Sequence, residues 1–123
     1  MPEPAGSDNA GRSRFSAEFR LRKTDEYSSV FAFRRAIRGR YFTLHVRPSG
    51  LDTARLGLVV AKKLARRAVL RNLIKRLARE TFRLRRATLP RCDIVVRLSA
   101  APREATRRAL REELEHLLGK VRA

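Results

Sequence analysis

One segment, "RRAVLRNLIKRLARETFRLRR" at residues 66–86, constrains the fold more than any other part of the chain. It combines nine Lys and Arg residues with a single acid, Glu80. On a helical wheel of about 100° per residue, the apolar side chains share one side and the cations share the opposite side. The segment therefore predicts a helix that buries one stripe and turns a basic ridge to solvent. The predicted stripe is Leu70, Leu73, Ile74, Leu77, Thr81 and Leu84, and the predicted ridge is Arg71, Asn72, Lys75, Arg76, Arg79, Arg83 and Arg86.

The charge balance of the whole chain indicates a polyanionic partner. Thirty Lys and Arg residues against twelve Asp and Glu leave a formal net charge of +18. No acid shares the arc of the ridge, so its cations would repel one another without a partner. Lys62, Lys63, Arg66 and Arg67 extend the basic surface to the start of the helix, where backbone N–H groups also favour phosphate.

Length and composition predict one domain with no membrane partner. A chain of 123 residues that is 43% hydrophobic can build a single core. No apolar run approaches the roughly 20 residues of a membrane-spanning helix. Residues 1–14 have no hydrophobic signal region and are expected to form a disordered tail, followed by one RNA-binding α/β domain at residues 15–123. Cys92, the only cysteine, excludes an internal disulfide and indicates a buried thiol in a cytoplasmic protein.

The segments before the basic helix predict a short helix and two strands. The helix is expected at about Asp25 to Arg34, with Tyr27 and Phe31 on one face. Alternation then predicts a strand at residues 41–47. Phe42, Leu44 and Val46 form its apolar face, and Tyr41, Thr43, His45 and Arg47 form its polar face. The apolar run at residues 56–61 predicts a strand buried on both faces, in which Gly57 permits a close backbone approach.

A strand at residues 93–98 and a leucine-rich last helix complete the predicted order, which is helix, strand, strand, helix, strand, helix. This order predicts an α/β fold in which helices pack on a small sheet, with room for one further edge strand.

The sequence offers no set of side chains for catalysis by the protein. From Ser28 to Cys92 the only acids are Asp52 and Glu80, and the two histidines lie on separate elements. A protein nuclease would gather carboxylates around metal ions or place histidines for acid and base work. We therefore expect no catalytic residue and no protein metal site. Aromatic rings beside cations instead favour the binding of single-stranded RNA.

The ridge and its flanks resemble the protein subunit of bacterial ribonuclease P, which supports removal of the 5′ leader from precursor tRNA. The pattern R-N-x-x-K-R-x-x-R is intact at residues 71–79, and the resemblance covers about residues 19–119. It implies a two-layer α/β sandwich with a small mixed sheet and a left-handed βαβ crossover through the basic helix. It also implies that catalysis belongs to the RNA subunit with its Mg²⁺ and that the protein alone binds no cofactor.

The resemblance also implies roles for particular residues, with the catalytic RNA and precursor tRNA as partners and neither DNA nor membrane. The catalytic RNA is expected to contact Arg66, Arg67, Arg71, Asn72, Lys75, Arg76 and Arg79. The 5′ leader is expected to contact Tyr27, Phe31, Thr43, His45, Lys62 and Lys63. A ribosomal or ribosome-assembly protein is the alternative hypothesis, because it shares the basic composition. A DNA-binding regulator is disfavoured, because the basic helix has no helix-turn-helix partner.

Overall fold

The computed structural model describes residues 19–21 and 24–122, where it contains three α-helices and four β-strands. The predicted tail, residues 1–14, lies outside the described residues. The helices are α1 (Thr24–Ala32), α2 (Ala68–Arg85) and α3 (Arg107–Gly119). The strands are β1 (Ala36–Arg38), β2 (Phe42–Pro48), β3 (Arg55–Val59) and β4 (Cys92–Leu98).

The four strands form one mixed sheet in the order β1-β2-β4-β3. Strand β2 pairs antiparallel with β1 and β4, whereas β3 pairs parallel with β4. Helix α2 connects the parallel strands, as a parallel pair requires a crossover. The predicted α/β sandwich with a small mixed sheet is confirmed, and β1 is the further edge strand for which the sequence left room.

The two faces of the sheet carry different layers. Phe42, Leu44 and Val46 lie on one face and pack into the main core with buried residues of α2 and α3. On the other face, Val95 packs with Leu21 and with residues of α1 in a smaller cluster. Helix α1 therefore crosses the face that α2 and α3 leave open.

Helix α2 is rotated about its axis relative to the prediction. Leu84, predicted in the core, is 70% exposed, whereas Ala78 and Phe82 are buried. On the wheel, the buried arc lies roughly 60° from the predicted stripe. Burying the Phe82 ring removes more apolar surface from water than burying Leu84 would, so the aromatic residue near the boundary decides the rotation.

Strand β3 is shorter and less enclosed than predicted. It ends at Val59 rather than reaching Ala61, and Leu58 and Val59 are only half-buried because β3 is an edge strand. The close approach expected at Gly57 is confirmed. A Cβ atom there would lie 2.8 Å from the Tyr27 ring.

Other local predictions have mixed outcomes. Helix α1 ends at Ala32 rather than Arg34, which takes a left-handed φ of 61°. Cys92 is buried as predicted, and burial raises the pKa of its thiol to about 11. Among the described residues, no helix combines the length and apolar character needed to cross a membrane.

Helix α3 holds the loop between β1 and β2. The Glu113 carboxylate accepts hydrogen bonds from the backbone N–H groups of Arg40, Tyr41 and Phe42 at 2.8 to 3.0 Å. These bonds fix the start of β2, the strand that carries Thr43 and His45.

Candidate nucleic-acid interface

The rotation of α2 divides the predicted ridge into two parts. Arg71, Lys75 and Arg79, spaced one turn apart, are half-buried; we call them the basic row. Asn72 and Arg76 lie further round the helix and are exposed. The basic row therefore borders the rest of the protein, while its neighbours are free to meet an external partner.

The loop before α2 adds cations at the helix start. The side chains of Lys62, Lys63, Arg66 and Arg67 are all exposed. Arg67 is the N-cap residue and accepts no side-chain capping bond from the first turn of α2. Unpaired N–H groups of a first turn attract phosphate oxygens.

Arg71 has a structural task in addition to its predicted contact with RNA. Its Nη1 donates hydrogen bonds to the backbone carbonyls of Ala65 and Arg66, at 3.0 and 2.8 Å. The side chain therefore holds the basic loop against the first turn of α2. Its replacement would disturb the positions of Arg66 and Arg67 together with any contact of its own.

A pocket of about 210 Å³ joins the basic row to the edge of the sheet. Burial lowers the pKa of the Arg79 guanidinium, and the charge of Arg20 adds to this shift. The pocket combines cations with leucines and one aromatic ring, which suits a sugar-phosphate unit with apolar surface beside it. Its lining residues are Arg20, Leu21, Tyr27, Leu56, Leu58, Lys75 and Arg79.

Helix α1 places its two aromatic residues over different strands. The Tyr27 ring lies on Gly57 of β3, and its hydroxyl accepts a hydrogen bond from the Leu58 N–H at 3.1 Å. The Phe31 ring meets His45 of β2 edge-on, with centroids 4.6 Å apart and planes at 70°. The predicted aromatic pair is therefore spread across the sheet, with Tyr27 in the pocket and Phe31 beside His45.

The surroundings of His45 favour its neutral form. Burial lowers its pKa, and the charges of Arg97 and Arg38 lower it further. Its Nε2 accepts a hydrogen bond from Arg97 Nε at 3.2 Å.

Thr43 differs from the other predicted leader contacts. It is only 3% exposed, and its hydroxyl is hydrogen bonded to Ser99 at 3.2 Å. A ligand could meet it only at the floor of the sheet face, so its predicted contact with the leader remains a prediction.

Two cations that the sequence did not single out, Arg38 and Arg97, lie on the same face of the sheet as Thr43 and His45. Arg38 pairs in register with Thr43, which pairs with Arg97, which in turn pairs with Val59 of β3. This transverse row ends near the loop that carries Lys62 and Lys63. Alternation along β4 could have placed Arg97 on the polar face of the sheet. The residues beside Arg97 depend on strand pairing, which alternation does not reveal.

The acids beside the sheet are engaged in ion pairs with arginines. Asp93 is fully buried and meets Arg47 and Arg55, and Arg55 also meets Glu26 of α1, each at 2.9 Å. Within the described part of the chain, no group of three or more His, Cys, Asp or Glu residues could hold a metal ion. The site offers cations and rings to a ligand rather than carboxylates.

Comparison with known proteins identifies the family. The sequence model of the family named Ribonuclease P matches residues 15–122. The chain belongs to this family. It is 60% identical to the ribonuclease P protein component of Azoarcus sp. over 121 residues, which cover 98% of each chain. It is 57% identical to that of Aromatoleum aromaticum over 109 residues, covering 89% of this chain and 92% of the relative.

Solved structures of ribonuclease P proteins share the fold. The protein from Staphylococcus aureus superposes with a TM-score of 0.77 at 31% identity, over 84% of this chain and 96% of the other. The protein from Thermotoga maritima gives 0.73 at 31% identity, over 85% and 98%. The predicted family is confirmed, and this chain is a protein component of ribonuclease P, an endoribonuclease in which its partner is RNA. The ribosomal alternative gains no support from these comparisons.

Proposed function

We propose that this chain binds the catalytic RNA through α2 and the preceding basic loop, and holds the 5′ leader of precursor tRNA along α1. The observation that carries the proposal is the position of the basic row beside the Tyr27 pocket. Helix α2 can meet a folded RNA with Asn72 and Arg76, while Lys75 and Arg79 face the route of a single strand. One helix would then contact both RNAs.

The leader would lie across the open face of the sheet. Phe31 and His45 offer flat rings on which unstacked bases can lie, and nearby cations can meet the phosphates. Arg38 and Arg97 join Lys62 and Lys63 in this role, because the two arginines share the row that ends at Val59, just before the loop that carries the two lysines. The leader contacts predicted from the sequence thus acquire two additional arginines.

The RNA subunit would supply the catalytic chemistry, with Mg²⁺ held by its own oxygen ligands. Support comes from the donor set, because phosphoryl transfer with Mg²⁺ needs clustered carboxylates or phosphates. Asp93 and Glu26 are instead occupied by arginines. The protein's contribution is to bind, to neutralise phosphate charge and to orient the leader.

Reconstitution tests the proposal. The purified chain, freed of RNA, is combined with Mg²⁺ and precursor tRNA, with and without the cognate RNA subunit. We expect leader removal only when the RNA subunit is present, and tighter binding of precursor than of mature tRNA by the reconstituted particle. Cleavage by the RNA-free protein, or equal affinity for the two tRNAs, would contradict the proposal.

The RNA that copurifies with the chain provides an independent test of the partner. Enrichment of the ribonuclease P RNA is expected when the tagged chain is isolated from its own cells. Enrichment of ribosomal RNA in its place would favour the ribosomal alternative. The same isolation with Lys75 and Arg76 both replaced by Ala should lose the RNA, because these two substitutions remove one cation facing the pocket and one facing outward.

A further inference from the structure

We propose that Arg97 fixes the tautomer of His45, so that the ring meets the leader as a hydrogen-bond donor through Nδ1–H as well as a flat surface. The inference rests on the proposed leader site and deepens it. It makes Arg97 a positioning residue and His45 a specificity-determining residue. The ligand feature that they would select is a hydrogen-bond acceptor on one leader base.

The direction of the Arg97–His45 hydrogen bond sets the tautomer. A guanidinium has only donor groups, so His45 Nε2, which lies 3.2 Å from Arg97 Nε, must present its lone pair. A neutral imidazole carries one proton, which must then reside on Nδ1. The protein therefore defines which ring nitrogen donates.

The charges around His45 favour this neutral form. Arg97 approaches the ring from β4 and Arg38 lies on the neighbouring strand β1, while α1 contributes the uncharged Phe31. Protonation of Nε2 would place a cation beside a guanidinium and break their hydrogen bond. Both effects work against the doubly protonated ring.

The ring is held in place while Nδ1 stays available. Phe31 packs edge-on at 4.6 Å and Arg97 anchors Nε2, so two contacts restrict the rotation of the ring. Nδ1 has no hydrogen-bond partner among the described residues and is not sealed from solvent. A group that is fixed, neutral and unpartnered can donate to a bound base without reorganisation.

Such a donor selects bases that present a hydrogen-bond acceptor atom to it. A carbonyl oxygen or a ring nitrogen with a lone pair can accept from Nδ1–H, whereas an exocyclic amine cannot. Stacking alone tolerates any base, because every base has a π face. One leader position should therefore show a preference that a phenylalanine at residue 45 would not produce.

Nuclear magnetic resonance on the free protein tests the tautomer. In a ¹⁵N-histidine sample, long-range ¹H–¹⁵N correlations distinguish the protonated from the unprotonated ring nitrogen. His45 should be protonated on Nδ1 in the unaltered chain, and Arg97→Met should move protonation toward Nε2. Arg97→Lys, which keeps a donor, should restore the original pattern, and the exposed His116 serves as the internal reference. Protonation of His45 on Nε2 in the unaltered chain would overturn the inference.

Leader analogues test the consequence in the reconstituted particle. Uridine is placed at each leader position in turn and compared with 2,4-difluorotoluene, which keeps the shape of uracil but accepts hydrogen bonds poorly. The unaltered particle should bind the analogue about twofold to tenfold more weakly at one position, which corresponds to the loss of one neutral hydrogen bond. His45→Phe and Arg97→Met should remove this difference, while Arg111→Met, on the exposed surface of α3, should retain it.

The outcomes separate this inference from the proposed function. Equal binding of uridine and its analogue at every position would refute the donor role, as would a penalty that persists in His45→Phe. In both cases a continued preference for precursor over mature tRNA would leave the proposed leader site standing. Loss of that preference in the unaltered particle would instead reject the leader site.

Discussion

Arginines have opposite tasks in two regions of the molecule, with the ion-pair cluster around Asp93 on one side of the comparison and helix α2 on the other. On one side, Arg55 meets Asp93 through two parallel hydrogen bonds of 2.9 and 3.0 Å and meets Glu26 through a third. On the other side, the described cations of α2 form no ion pair with an acid. The side chains have the same chemistry, so the positions of the acids decide which arginines build the fold and which remain available to RNA.

The paired group has an indirect bearing on the site. Glu26 belongs to α1, so its bond to Arg55 ties to the sheet the helix that carries Tyr27 and Phe31. Asp93 joins Arg47 of β2 and Arg55 of β3 through β4. This cluster therefore holds α1 against the sheet beside the proposed leader site.

The largest expected effect comes from breaking the ion pairs of Asp93 with Arg47 and Arg55. Asp93→Asn leaves two arginines near a buried position without their anion, and removal of one partner of a buried ion pair costs about 3 to 5 kcal/mol. Urea unfolding measures the loss. Glu112→Gln, which removes an exposed pair with Arg108 on α3, is the control and should cost below about 0.5 kcal/mol. Similar losses for the two variants would show that the Asp93 cluster does not support the fold.

The next effect concerns the aromatic ring of Phe31, which lies on the helix that Glu26 ties to the sheet. Phe31→Ala should weaken the binding of precursor tRNA by about 1 to 3 kcal/mol if one base stacks there, with little change for mature tRNA. The measurement is the affinity of the reconstituted particle for each tRNA. Phe33→Ala, an exposed aromatic residue just beyond α1, is the matched control. Equal losses for both tRNAs would assign Phe31 a packing role only.

Periodicity predicted the existence of β2, α2 and α3, because each of these elements buries one clear face. Alternation placed Phe42, Leu44 and Val46 in the core, as the structure confirms. Periodicity could not set the rotation of α2, because Phe82 and Leu84 lie about 160° apart on the wheel and only the packed core decides which of them is buried. The apolar run also predicted that β3 is buried on both faces, whereas β3 is an edge strand. Edge position depends on strand order, which apolar content does not reveal.

The site was predictable in its residue types but less so in its connections. The basic row follows from spacing along α2 and the aromatic pair from spacing along α1, whereas the hydrogen bond from Arg97 to His45 joins residues that are 52 positions apart in sequence. Pairing of this kind is set by the register of the sheet. The same holds for the pairing of Asp93 with Arg47 and Arg55, which determines that these arginines are structural.

A smaller effect is expected at the edge of the sheet. Tyr27→Phe retains the ring over Gly57 but leaves the half-buried Leu58 N–H without its acceptor. The expected loss is about 1 kcal/mol of unfolding free energy, typical of one hydrogen bond. Tyr41→Phe is the matched control, because its hydroxyl has no hydrogen-bond partner among the described residues. A stable Tyr27→Phe variant with weaker precursor binding would place the hydroxyl on the leader instead.

The smallest effect on the fold is expected from replacing an exposed cation of α2. Arg76→Ala removes an exposed cation that has no acidic partner among the described residues, so the free energy of unfolding should change by less than about 0.5 kcal/mol. Affinity for the RNA subunit should nevertheless fall, and the slope of log K against log salt should become shallower by about 1, because one phosphate contact is lost. Arg111→Ala removes the same charge from the exposed surface of α3 and should leave the slope unchanged. Equal slopes for the two variants would mean that the net charge of the protein, rather than the position of a cation on α2, governs assembly with the RNA subunit. The two groups of arginines would then differ in their contribution to folding stability but not in their contribution to RNA binding.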